Sequence, residues 1–210
     1  MLNRTLARQL GHPSGILGRL VLGPLWNRRN AALNDLAFDR LSVEPDDRVL
    51  DVGFGGGYLL RRIAAATSRG LAAGADASPA MVAFASRRLR PALDEGRVEL
   101  VRAAAEALPF PDGHFTKACS VNSLFYWREP RAAFSEIARV LRAGGAFVLV
   151  FTDRASLAGK AFAREGLSLY DADDARPLLE GAGFRVLGVE DARDRHRRFW
   201  CLVAARREPR

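Results

Sequence analysis

Two carboxylates and a run of glycines carry the most chemistry per residue in this chain. In Val49-Leu50-Asp51-Val52-Gly53-Phe54-Gly55-Gly56-Gly57 an acid is followed at once by a glycine-rich turn, and Asp76 stands twenty residues beyond Gly56. Glycines directly after a strand let the backbone approach a ligand closely and turn into a helix. An acid at the end of the next strand accepts hydrogen bonds from both hydroxyls of a ribose. Together they point to an adenosine-bearing ligand. The dinucleotide pattern G-x-G-x-x-G, begun at Gly53, needs glycine at position 58, which is Tyr58. Asp51 would also face a pyrophosphate, where like charges repel. A ligand with a cationic amino-acid end matches that carboxylate instead, and S-adenosylmethionine has such an end. Each acid also has a simpler role open to it: Asp51 as a cap for nearby backbone N–H groups, Asp76 as a cap for the helix that starts at Ser78.

These residues need strands and helices to hold them, and the pattern supplies both. Arg48–Phe54 reads as a strand, Tyr58–Thr67 as a helix with Leu59, Leu60, Ile63 and Ala66 on one face, and Gly70–Asp76 as a second strand. Ser78-Pro79 is a helix start, with Val82, Ala85 and Leu89 as its buried stripe. Val98–Ala103 and Phe115–Leu124 follow as strands. Phe134, Ile137, Ala138 and Leu141 then mark an amphipathic helix stopped by Gly144-Gly145, before the strand Ala146–Phe151. Strands alternating with helices imply right-handed crossovers and a doubly wound, mainly parallel sheet. Phe184–Glu190 and Arg198–Ala205 are separated by too few residues for a parallel crossover, so they form an antiparallel hairpin at the sheet edge. The expected fold is α/β and Rossmann-like, with a seven-stranded sheet.

Before the first strand the chain reads differently. Residues 1–45 hold no acid ahead of Asp35, and Leu33, Leu36, Ala37 and Leu41 share one helical face. This segment is read as an N-terminal helical cap, and 46–210 as the ligand-binding domain. Ile16, Leu17, Leu20, Val21, Leu22, Leu25 and Trp26 beside Arg19, Arg28 and Arg29 suit a hydrophobic acceptor with an anionic or polar head, or peripheral contact with an anionic membrane. Plain packing onto the sheet is the competing reading.

Composition narrows the classes. At 210 residues, 49% hydrophobic and 27% charged, the chain is globular and long enough for a core without crosslinks. Its longest apolar run, Phe199–Ala205, is seven residues, against the ~20 a membrane-spanning helix needs. Net charge is +8, but 30 of the 32 basic residues are arginine, as codon bias in a GC-rich genome produces, and they are spread along the chain. A solvated basic surface is therefore preferred to a nucleic-acid interface. Cys119 and Cys201 have no CxxC or histidine neighbour, which speaks against a zinc site or disulfide scaffold and fits a reducing, cytoplasmic compartment.

Five stretches in order carry a resemblance: VLDVGFGGG (49–57), GADASPAM (74–81), AAAEALPFPDGHF (103–115), EIARVLRAGGAFVLV (136–150) and LLEGAGFRV (178–186). The chain resembles a class I S-adenosylmethionine-dependent methyltransferase of the small-molecule type that includes ubiquinone and menaquinone biosynthesis enzymes. The resemblance implies that Asp51 and Gly53, with Phe54 and Gly55 of the same turn, face the methionyl end. It implies Asp76 on the ribose, Ala77 and Met81 along the adenine, and the backbone of Ala105-Glu106 over the base edge. Ala104 stands where the family commonly has Asp, so Glu106 or backbone alone must serve there. Thr116 replaces the usual Asp of the fourth strand, whose role is structural.

Methyl transfer from a sulfonium is an in-line displacement, so the protein mainly positions donor and acceptor, with no metal. A base helps only if the acceptor loses a proton. His114 and Tyr126 are the candidates, with a solvated turn as the alternative for His114. Asn122 is placed to contact the methionyl group, while Tyr126 and Trp127 either shape an acceptor pocket or pack on the next helix. The expected partner is a small-molecule acceptor. A non-catalytic S-adenosylmethionine-binding regulator and an RNA methyltransferase remain as alternatives.

Overall fold

Val49, Leu50, Asp51 and Val52 are all buried in β1 (Arg48–Val52), a pattern sustained only by a strand covered on both faces. In the computed structural model, which describes residues 30–158 and 167–208, β1 lies inside a seven-stranded sheet. It pairs in parallel with β2 (Leu71–Asp76) on one side and β4 (Phe115–Val121) on the other. β3 (Val98–Arg102) extends the sheet past β2, and β5 (Leu141–Thr152) past β4, both parallel. The hairpin of β6 (Phe184–Arg193) and β7 (Arg198–Arg206) adds antiparallel strands beyond β5. The order β3-β2-β1-β4-β5-β7-β6 reverses its winding between β1 and β4. Crevices at the carboxyl ends of strands at such a switch point are where α/β sheets bind ligands.

Helices cover both faces. On one, α1 (Ala31–Leu41), α2 (Tyr58–Ala66) and α3 (Pro79–Arg88) bury Leu33, Ala37, Leu60, Ile63 and Ala85 against Val49, Cys119, Val148 and Val150. The short α4 (Arg90–Asp94) follows α3. On the other face, α5 (Pro130–Val140) and α7 (Ala172–Gly181) seat Phe134, Ile137 and Leu179 on Leu50, Phe147 and Phe184. A single turn, α6 (Arg154–Ala158), follows β5. No helix among the described residues is long and apolar enough to cross a membrane.

Three expectations change. The helix at Phe134 ends at Val140, and Leu141 opens β5 with ψ 142°. Leu141 is fully buried there, and the glycine pair sits instead at an irregularity where the β4–β5 register shifts. β4 stops at Val121 rather than Leu124, because Asn122 takes a left-handed φ of 54° and the chain turns into a 3-10 turn at Leu124–Tyr126. α1 shares the sheet's own core, so at least this part of the N-terminal segment is a layer of the fold. The cap and membrane expectations for residues 1–29 lie outside the described residues. At Thr116 the structural role persists in another form: its hydroxyl donates to Asp47 at 2.7 Å, and Lys117 Nζ pairs with the same carboxylate at 2.7 Å.

Candidate functional site

The turn after β1 is shaped by close approach. Gly53, at φ 77°, donates its N–H to Ala75 O at 2.7 Å, and a Cβ there would collide with Ser123 Oγ. Ser123 in turn donates to Gly53 O at 3.1 Å, joining the ends of β1 and β4. Gly55, at φ 52°, has open space where a side chain would stand. Its N–H donates to Asp76 Oδ2 at 2.8 Å, and Ser78 N–H donates to Oδ1 at 2.8 Å. Asp76 therefore braces both turns while keeping further acceptor capacity on each oxygen. The capping role and a ligand-facing role coexist in one carboxylate.

A cavity of about 380 Å³ opens above the carboxyl ends of β1, β2 and β4. It brings together Asp51, Gly53, Phe54, Gly55 and Asp76 from the first two strands with Ala77 and Met81 at the start of α3. Ala105, Glu106 and Asn122 complete the wall, so every residue expected to face a cofactor reaches this one space. Asp51 lies at its floor, 2% exposed, in register with Cys119 of β4. A hydrogen bond from the neighbouring Cys119 thiol favours its charged form. Burial, then the neighbouring Asp76 charge, pushes the Asp51 carboxyl up to about 7 against that hydrogen bond. Burial likewise raises Asp76, opposed by the Ser78 and Gly55 N–H groups. Two carboxylates short of donors in one cavity favour a ligand bearing a cation at one end and hydroxyls further along.

Some residues have other work. Asn122 Oδ1 accepts from Thr152 N–H at 2.8 Å and Thr152 Oγ1 at 3.0 Å, while Nδ2 donates to Asn30 Oδ1 at 3.0 Å. Its side chain thus ties β4, β5 and the start of α1 together. Glu106 Oε1 accepts the N–H groups of Arg128 and Glu129 at 2.8 and 3.2 Å, so this carboxylate braces the start of α5 while it lines the cavity. Tyr126 lines the cavity, and burial pushes its phenol up to about 12. At neutral pH it donates a proton to a hydrogen bond and takes none away. Trp127 also reaches the cavity, yet it is 8% exposed and packs edge-on to Phe134 at 5.2 Å between centroids.

His114 does not join the site. It precedes the first residue of β4, while the cavity lies past the last. Seven residues of strand at about 3.3 Å each separate the two. The ring sits edge-on to Phe115 at 4.8 Å, with the Arg48 guanidinium against it, and burial followed by that positive charge lowers its pKa. It is a packed, neutral turn residue. Asn30 and Asn34 were not among the expected site residues, yet both line the cavity. The signal for Asn34 is an amide breaking the otherwise apolar stripe Leu33, Ala37, Leu41.

Comparison with known proteins agrees with this geometry. Residues 50–149 match the family described as "Methyltransferase domain". The chain is 27% identical to the uncharacterized methyltransferase YdaC of Bacillus subtilis, over 81% of this chain and 90% of that protein. It is 31% identical to the O-methyltransferase rstn1 of Aspergillus nomiae, over 74% of this chain and 72% of the relative. A solved SAM dependent methyltransferase from Aquifex aeolicus superposes with a TM-score of 0.70 at 19% identity, covering 96% of this chain and 97% of its own.

Proposed function

The chain belongs to the class I S-adenosylmethionine-dependent methyltransferases, and we propose that it methylates a small-molecule acceptor with an apolar body, held between the glycine turn and the Tyr126–Trp127 wall. S-adenosylmethionine supplies an already activated methyl group on a sulfonium. What is left to the protein is to bind, orient and exclude water.

The observation that carries the donor assignment is Asp51. A carboxyl 2% exposed and pushed up to about 7 by burial is a group whose charged form a bound cation would stabilise. The cofactor's ammonium fits that need. Asp76 keeps free acceptor sites for ribose hydroxyls, and the open space at Gly55 lets the ligand lie against the backbone. Ala77 and Met81 offer an apolar surface for the base, and the Ala105-Glu106 backbone borders the same space. Asn122 acts by holding the ends of β4 and β5 in place. No base is assigned among the described residues: burial raises the Tyr126 phenol and His114 lies at the other end of β4.

Incubation of the purified chain with methyl-labelled donor and a metabolite extract, cleared of RNA and protein, tests the reading. Label appearing in a small organic molecule is the expected outcome. Binding of donor without label transfer to any extract would favour a regulator, and label restored only by adding RNA back would favour an RNA methyltransferase.

A further inference from the structure

The chain holds a second polar group that its fold leaves unsatisfied. Asn34 is 7% exposed and lines the cavity, and its side-chain amide has no hydrogen-bond partner among the described residues. Leaving a buried amide unmade is costly in a folded protein, and such a group calls for an explanation.

Its position narrows what it serves. Asn34, Ala37 and Leu41 repeat at helical spacing on the face of α1 that packs against Val49, Cys119, Val148 and Val150. Cys119 stands in register with Asp51 on the neighbouring strand, so Asn34 and Asp51 open into the cavity from the same side of the sheet. Three neighbouring donors are already engaged: Gly53 N–H with Ala75 O, Gly55 N–H with Asp76, and the Ser123 hydroxyl with Gly53 O. Asn122 gives one of its two Nδ2 hydrogens to Asn30. An amino-acid head entering this corner brings an ammonium, which Asp51 answers, and a carboxylate, which needs a donor.

We propose that Asn34 donates its side-chain N–H to the carboxylate of the cofactor's amino-acid end, making it, with Asp51, a two-point reader of that group. The assignment rests on the cavity being the S-adenosylmethionine site.

Calorimetry on the full chain with three probes separates the possibilities. S-adenosylhomocysteine carries both charges of the head, decarboxylated S-adenosylmethionine carries the ammonium alone, and 5′-methylthioadenosine carries neither. The wild-type chain is measured first, and failure to bind any of the three overturns the cofactor reading itself and this assignment with it. Given wild-type binding, Asn34→Leu should weaken S-adenosylhomocysteine about tenfold, the scale of one hydrogen bond to a charged group. It should leave the other two within about twofold of wild type. The same variant removes a buried unpartnered amide for a side chain of similar size, so the unliganded melting temperature should not fall. Asn34→Asp should weaken S-adenosylhomocysteine further, carboxylate facing carboxylate, without weakening the decarboxylated probe. Equal loss across all three probes, or no loss for S-adenosylhomocysteine in either variant, overturns the assignment.

Discussion

At the scale of single residues, the site is defined by carboxylates whose environment conflicts with their charge. Asp51 titrates near 7 in the unliganded fold, against about 3.9 for an unfolded aspartate. Between those values the folded chain holds the extra proton, so this group makes stability fall as pH rises from about 4 to about 7. A bound ammonium favours the ionised form and reverses the sign. The affinity for S-adenosylhomocysteine should therefore rise with pH, by at most about tenfold per unit from this group, and level off above about 7. Calorimetry from pH 5.5 to 8 reads this directly. Asp51→Asn should flatten that profile and weaken binding while raising the unliganded melting temperature, the trade expected of a residue kept for function. Asp76→Ala should weaken binding by about 1.5–3 kcal/mol, the scale for hydrogen bonds to a charged acceptor. It should also loosen the Gly55 and Ser78 turns, seen as faster amide exchange at those two positions.

Among the elements, the contact between strand ends matters more than any one strand. β4 and β5 are held at the cavity by Asn122 against Thr152, and α1 joins them through Asn30, which also accepts from Arg197 of the β6–β7 turn at 2.8 Å. A left-handed φ of 54° is unusual outside glycine, and asparagine is among the residues that tolerate it. Asn122→Ala loses the hydrogen bonds and keeps the backbone strain, so about 2–4 kcal/mol of stability should go. Asn122→Gly removes the strain and should cost about 1 kcal/mol less. Urea denaturation of the two variants side by side measures the difference.

For the whole molecule, the charge is dispersed. Arg40–Glu190, Arg69–Asp46, Arg97–Glu95 and Arg139–Asp112 are ion pairs at opposite parts of the fold. In the C-terminal arginine cluster, Arg197 pairs with Asp194 and Arg198 with Asp191. Among the described residues these pairs offset part of the basic charge locally, within a net charge of +8 for the chain. Ligand and thiol behaviour should report on the fold as a unit. S-adenosylhomocysteine at a hundredfold excess over Kd should stabilise the chain by about 2.7 kcal/mol, seen as a rise in melting temperature that NADH does not give. Cys119 and Cys201 are buried free thiols, pushed up well above the usual range and to about 12 respectively by burial. Alkylating reagent should label them only on unfolding, leaving ligand binding intact in the native chain.

Local order determined much of this in the sequence alone. The glycine turn, the acids at 51 and 76, the Ser78-Pro79 helix start and the strand–helix rhythm each express a rule acting over a few residues, so the sheet and the two acids were legible from spacing, while Ala77, Met81, Ala105 and Glu106 entered only through the resemblance. What remained undecided involved groups brought together from distant parts of the chain. Whether His114 lay at the site depended on which end of β4 it occupied, and a loop histidine carries no mark of that. That Glu106 also braces the backbone of Arg128 and Glu129, twenty-two and twenty-three residues away, could not be read before the chain folded back onto it. Asn34 drew no reading from the sequence, and it gains one only once α1 lies over the face that holds Asp51. A side chain's partner is set by packing across the sheet, and only the tertiary structure decides which hydrogen bonds are already made and which are left for a ligand.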